Sequence, residues 1–325
     1  MADLTTITST TTSITSTTST TSTTSTTSTD DVPPGSLITR DGQMQWAGLL
    51  LGPGTPYEIG SDGLTGWEDL PDYDTTDADH PTAHGAWPGA RYAKPRKVGG
   101  SVWTVPTSDD TASSLSAMRA LRQALLLGDS ERWLAVRLHG ETLAIRARVS
   151  QRVLAADRTY TTQGVSKASV QWYATDPRRY TVDEQTAVTG APQPESGLTW
   201  PLTWPLYWGQ ASSTGDVGAD NSGSAPTHPI LTFTGPCTNP TVTDRTSGRR
   251  LRYEIGLATG DELVVDTAAG TVTLNSTASR RHTAAADSSP EELFAFEPGR
   301  AELAFRPDTY DTGAQLSVRW RSAEW

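Results

Sequence analysis

The sequence predicts a mainly β protein with two folded parts. The first is an α+β N-terminal domain, a β-barrel or sandwich with one packed helix. The second is a C-terminal β-sandwich of jelly-roll type. Three observations predict this. Short strand-like runs recur between turn signals, only one stretch sustains helical periodicity, and the closely spaced strand runs after residue 228 have no helix between them.

The elements follow in chain order. Residues 1–31 are a Thr/Ser-rich low-complexity tail with Leu4, Ile7 and Ile14 as its only aliphatic side chains beyond the start methionine and one alanine. Alone it buries too little surface to offset the entropy of ordering, so it is expected either as a flexible tail or as an extended segment pinned by neighbours. Residues 32–180 form the N-terminal domain. "SLITRDGQMQWAGLLLG" holds two strand-like runs, with Asp41-Gly42 as the expected hairpin turn. A polar loop is expected over residues 61–90, then a strand in "KVGGSVWTVP". The helix is expected over 109–127: Leu115, Met118, Leu121, Ala124 and Leu125 share one face, Ser108 or Asp109 caps the start, and Gly128 ends it. A hairpin about His139-Gly140 and a strand in "SKASVQWYATDPRRY" complete the domain.

Residues 181–228 read as a linker rich in Pro, Gly, Ser and Thr. Within it lies "TWPLTWPLYWGQ". Trp200, Trp204 and Trp208 are four apart and share one side of an extended chain, while Pro201 and Pro205 stiffen it. The run is too short and too interrupted to span a membrane. It is expected to be an apolar arm that docks on an adjacent subunit or on the chain's own N-terminal domain, where three buried Trp rings contribute several kcal/mol, at roughly 25 cal/mol per Å². Residues 229–325 are the C-terminal sandwich, with strands in "PILTFTG", "PTVTD", "RRLRYEIGL", "DELVVDTAAGTVTLN", "AELAFRP" and "AQLSVRWRSAEW".

Charge and composition restrict function. A formal net charge of −11 disfavours a surface that grips phosphates, and suits a wall that DNA passes without sticking. The single cysteine, Cys237, excludes an intrachain disulfide and a thiolate metal cluster. No run of eighteen apolar residues predicts a membrane span, and the N-terminus lacks the basic and apolar regions of a signal peptide. The acidic cluster Glu68, Asp69, Asp72, Asp74, Asp77 and Asp79 lacks the glycine and distal glutamate of a calcium loop, and reads as a solvated surface. His80 and His84 are separated by Pro81 and do not form a zinc-protease helix. Asp244, Asp261, Glu262 and Asp266 are carboxylates of the type that cleaves glycosides, but each flanks a turn, where Asp serves the backbone. No catalytic signature, cofactor fingerprint or metal site is read, and the chain is expected not to be an enzyme. Tyr253, Phe305, Trp320 and Trp325 are the aromatics available for stacking on sugars, or for filling a core or a subunit contact.

Several pieces together resemble the distal tail protein (baseplate hub) of long, flexible-tailed bacteriophages, as found in phages of actinobacteria. They are "GWEDLPDYDTTDADHPTAHGAWPG", "VQWYATDPRRY", the repeated "GLTWPLTWPLYWG", "NSGSAPTHPILTFTGPCTNPTV", and "TGDELVVDTAAGTVTL" with "PGRAELAFRP" and "VRWRSAEW". Their order covers roughly residues 36–325, and the Thr/Ser tract is a departure. The resemblance implies a structural virion protein of the tail tip. It implies a homo-hexameric ring built from N-terminal domains, with a C-terminal domain similar in shape to a galectin projecting outward. Its implied partners are the tail-tube protein, the tail-tip hub proteins and the tape-measure protein, with DNA crossing the lumen unbound. The competing expectation is a tail-associated module that adheres to host glycans.

Overall fold

The computed structural model describes residues 32–105, 111–193, 204 and 213–325. The chain begins with a hairpin of β1 (Met44–Trp46) and β2 (Leu49–Leu51). Its turn is Ala47-Gly48, both at positive φ, not the expected Asp41-Gly42. The reason is local. Before β1, the backbone N–H groups of Leu37, Thr39 and Arg40 donate to the side-chain oxygens of Gln45 and Gln43 instead of to a strand. Asp41 serves the next turn, accepting from Gly140 N–H at 2.9 Å and from Arg137 Nε at 3.1 Å.

The domain continues with β3 (Tyr57–Thr65), a ribbon of β4 (Tyr73–Thr75), β5 (Ala78–Asp79), β6 (Ala86–Trp87) and β7 (Arg91–Ala93), and then β8 (Arg96–Thr104). Helix α1 (Thr111–Ala124) follows, within the range the sequence predicts; its expected caps Ser108 and Asp109 lie outside the described residues. Strands β9 (Arg132–Leu138) and β10 (Glu141–Leu154) turn at His139-Gly140 as expected, both at positive φ. A short helix α2 (Arg158–Gln163), capped by Asp157 and ended by Gly164, was not anticipated. Strands β11 (Ser166–Ala174) and β12 (Arg179–Thr181) close the domain.

These strands run in the order β2-β1-β9-β10-β11-β8-β3. The long β10 pairs with β9 through its first half and with β11 through its second, with a register shift between Val149 and Gln151. The bulge bends the strand, so one strand belongs to both halves of the structure and wraps them around a common core. Met44, Trp46, Val98, Leu134, Ile145 and Trp172 fill that core, with Trp46 and Trp172 edge to face at 6.0 Å. Helix α1 adds Leu121, and Leu125 just after its last turn joins the same core; Met118 on the helix is also buried. Two ring donors fix it: Trp46 Nε1 donates to Ala124 O and Tyr57 OH to Ala117 O, each at 2.8 Å.

The C-terminal part is a sandwich of two antiparallel sheets. One runs β13-β24-β15-β20-β21-β22 and the other β14-β23-β17-β18. Here β13 is Gln185–Gly190, β14 Asp216–Asn221, β15 Ile230–Thr234, β16 Cys237–Thr238, β17 Thr241–Asp244 and β18 Arg250–Arg252. Next come β19 (Gly256–Leu257), β20 (Glu262–Asp266), β21 (Thr271–Leu274), β22 (Ala278–Ser279), β23 (Gly299–Phe305), β24 (Gln315–Trp320) and β25 (Ala323–Glu324). Alternating residues such as Leu231, Phe233, Leu263, Val265, Leu316 and Val318 point inward and are buried. Segment 181–228, expected as a linker, is part of this sandwich at both ends. β13 pairs with β24, and β14 pairs with β23. The polar and small side chains of "QTAVTG" and "DVGADN" conceal them, since edge strands bury one face only weakly.

Candidate assembly surface

The acidic stretch expected as a polar loop is a two-stranded ribbon. β4 pairs with β7, placing Tyr73 opposite Ala93 and Thr75 opposite Arg91, and β5 pairs with β6, placing Ala78 opposite Trp87. Between them Thr76 N donates to Ala90 O, and beyond them His80 N donates to Gly85 O at the tip. At about 3.3 Å per residue the ribbon reaches about 35 Å from its root. Every residue of β4–β7 is exposed. So are the large apolar groups Leu70, Tyr73, Trp87 and Tyr92, at 53–76% of their area. A two-stranded ribbon with nothing beneath it is marginal in water.

Its acids have local tasks. Asp69 accepts from Gly66 N–H, Asp77 from Gly89 N–H, and Asp74 pairs with Lys94 at 2.7 Å in an exposed contact worth little by itself. His80 stacks edge-on against Trp87 at 4.1 Å, and Arg91 sits 5.5 Å over the Tyr73 ring. The root, by contrast, is fastened. Gly66 takes a positive φ against Lys97, where a Cβ would strike the Lys97 carbonyl. Trp67 is buried, and Arg96, 2% exposed, donates Nη1 to the carbonyls of Gly66, Trp67 and Asp69 and Nε to that of Pro177.

Beside the root the outward face of β10, β11 and β8 carries the opposite charge. Lys97, Tyr173 and Arg148 are cross-strand partners in one row, with Arg148 5.5 Å over the Tyr173 ring. Three rows further along the same face Lys167 lies 5.5 Å over Trp103. Gly99 and Gly100 leave a groove of about 330 Å³ between these rows, and a second of about 400 Å³ opens between the arm root, Lys97 and Tyr173. The chain thus presents an acidic, aromatic ribbon and a basic, aromatic sheet face.

The Trp/Pro arm is a separate segment of the chain, residues 198–209. Trp200, Pro201, Pro205 and Trp208 lie outside the described residues, and Trp204 is 86% exposed. Its base is set by Gln193 N donating to Ser213 O, at the Gly190 end of β13, whereas the Gln185 end faces the N-terminal domain. The base is therefore at the far end of the sandwich from that domain.

The remaining candidates resolve into structure. Tyr253 and Phe305 are fully buried and Trp320 nearly so, packed with Phe233 and Phe296 at ring distances of 5.9–6.2 Å. They do not offer a face to sugars, which corrects the stacking expectation, and Trp325 sits half-buried at the domain junction. Asp244 accepts from Thr246 N and Ser247 Oγ, Asp261 from Ala258 N and Asn275 Nδ2, and Asp266 from Ala268 N and Ala269 N. These are turn caps. Glu262 belongs to strand β20, with an exposed side chain.

The described residues thus form a mainly β, two-part fold with an exposed ribbon on the first part and a sandwich as the second. The family model described as siphovirus-type tail component, C-terminal domain, matches residues 222–323. In fold the chain is similar to SPP1 Dit (gp 19.1), whose structure is described as a paradigm of the hub adsorption apparatus in phages infecting Gram-positive hosts. The TM-score is 0.57 at 12% identity, over 85% of this chain and 97% of that one. A chain of the phage P2 baseplate in its activated conformation with Ca gives 0.47 at 10% identity, over 82% and 91%. No curated protein matches this chain. The resemblance to distal tail proteins read from the sequence therefore holds in the C-terminal domain model and in the fold of both domains.

Proposed function

We propose that this protein is a non-enzymatic building block of a phage tail tip. In this reading six copies close head-to-tail into a ring that joins the tail tube to the tip proteins and leaves a lumen for the tape-measure protein and then DNA. The observation that carries it is the fully exposed ribbon of β4–β7 on a chain whose own sheet face has the complementary charge. A closed ring needs two different faces that meet under a closing rotation. The acidic arm of one copy and the basic face of β8, β10 and β11 on the next supply such a pair. The net charge of −11 suits a channel that does not retain DNA. The Trp/Pro segment is assigned to docking on an adjacent subunit; its described flanks, Gln193 and Ser213, lie at the Gly190 end of β13, far from the chain's own N-terminal domain. The test is negative-stain imaging with mass photometry of the purified chain. Sixfold rings are expected, and a protein that stays monomeric at tens of micromolar overturns the reading.

A further inference from the structure

The two domains meet at a polar joint that the hub reading does not use. Arg178, just before β12, grips Asp176 with Nε at 2.8 Å and Nη2 at 3.0 Å, and Tyr180 OH donates to the same carboxylate at 2.5 Å. The remaining nitrogen, Nη1, crosses to the C-terminal domain. There it meets the carbonyl of Pro226 at 2.9 Å and Nδ1 of His228 at 2.8 Å. The other ring nitrogen, Nε2, lies 3.2 Å from the carbonyl of Glu292. A guanidinium only donates and a carbonyl only accepts, so the ring is neutral with its hydrogen on Nε2.

We propose that this contact is an acid-sensitive joint: it tightens the junction of the two domains while His228 is neutral, and protonation of His228 loosens that junction. A doubly protonated ring has two N–H donors and no acceptor, so neither ring orientation restores the bond to Arg178. The carboxylates nearest His228 already have partners, and none is hydrogen-bonded to its ring. Asp176 is filled by Arg178 and Tyr180, Asp266 accepts from two backbone N–H groups, and the Glu292 side chain is turned to Arg281 at 2.8 Å. Burial, and then the Arg178 charge, hold His228 below the ordinary imidazole value of about 6.5. The open joint binds the proton more readily than the closed one, so closure is favoured above about pH 6.5 and weakened as pH falls below it. One unit below, the closed state loses at most about tenfold in population relative to the open one.

The test is hydrogen–deuterium exchange by mass spectrometry on the full chain at pH 7.5 and 5.5, corrected for intrinsic rates. Amides of residues 178–182 and 224–228 are expected to lose protection, by up to about tenfold, with β9 and β15 unchanged. In His228→Asn, whose side-chain oxygen takes the place of Nδ1 and does not titrate, the loss is expected to vanish. Where that variant fails to fold, His228→Gln makes the same comparison. Unchanged protection in the wild type, or an equal loss in the variant, overturns the joint. Either result leaves the ring reading standing, because exchange at this junction does not depend on assembly.

Discussion

Arg96 shows how one residue holds a functional element in place. It is buried, yet its charge meets no carboxylate. Four backbone carbonyls from the arm root and from Pro177 accept its hydrogens instead. Burial, followed by the nearby Arg179 charge, lowers its pKa, but a guanidinium stays protonated at any ordinary pH. Arg96→Met leaves those carbonyls without donors and is expected to cost on the order of 3 kcal/mol. Urea unfolding followed by Trp fluorescence measures it, and a change below about 0.5 kcal/mol would show that water replaces the side chain. Cys237 gives an independent probe of the other domain. It is 4% exposed, and burial pushes its thiol up to about 11. Ellman's reagent at pH 8 is expected to leave it unmodified in the native protein and to titrate one thiol in guanidinium; prompt native labelling contradicts that burial. The residue scale was also the least legible in the sequence. The turn-capping roles of Asp244, Asp261 and Asp266 follow from neighbours a few residues away, so the chain spells them out. The partners of Arg96 lie up to 81 residues off, and nothing local announces them.

At the scale of elements, legibility followed side-chain patterning. The strands of the sandwich core alternate strongly, as in "ILTF" and "QLSV", and were read. The hairpin at His139-Gly140 was read because its turn residues match its backbone. The hairpin at Ala47-Gly48 was misplaced because Ala takes a positive φ that its identity does not advertise. The arm was read as a loop because its strands are two or three residues long and bury nothing, so no periodicity marks them. That same absence of burial makes a prediction. Replacing residues 72–94 by a short Gly/Ser turn removes no core contact, and is expected to leave the chemical stability of the domain within about 1 kcal/mol of wild type. Rings are expected to disappear, as read by mass photometry. A deletion that unfolds the domain would show the arm to be structural; one that still closes rings would remove it from assembly. Because the arm and the sheet face are oppositely charged and exposed, ring formation is also expected to weaken between about 0.05 and 0.5 M salt.

At the scale of the whole molecule, two hydrophobic cores share no residue, yet the chain is stitched between them. The sequence pointed to two domains and to a boundary near residue 180, because composition changes there. It did not reveal that the far end of the chain returns to the first domain. Strand β25 pairs with β12, which itself pairs with β10, so a strand from each domain shares one sheet. Ala323 bridges onward to Ala225, and Gly223 is required beside it, since a Cβ there would strike the Ala323 backbone. Arg179, 6% exposed, reaches Glu68 at 3.0 Å and the carbonyl of Trp325 at 2.8 Å. Arg321 donates to the carbonyls of Thr181 and Val182 while lying over the Trp133 ring. Several backbone and charge-assisted bonds, at about 1 kcal/mol each, therefore couple two units that would otherwise unfold separately. Calorimetry of the full chain is expected to give one cooperative transition whose van't Hoff and calorimetric enthalpies agree. Removing residues 321–325 takes away β25 and the Arg321 contacts without touching either core, and is expected to split the transition in two. Two transitions in the intact chain, or one in the shortened chain, would mean that the shared sheet does not carry the coupling, and that in the proposed ring the orientation of the C-terminal domain would have to come from contacts with neighbouring copies.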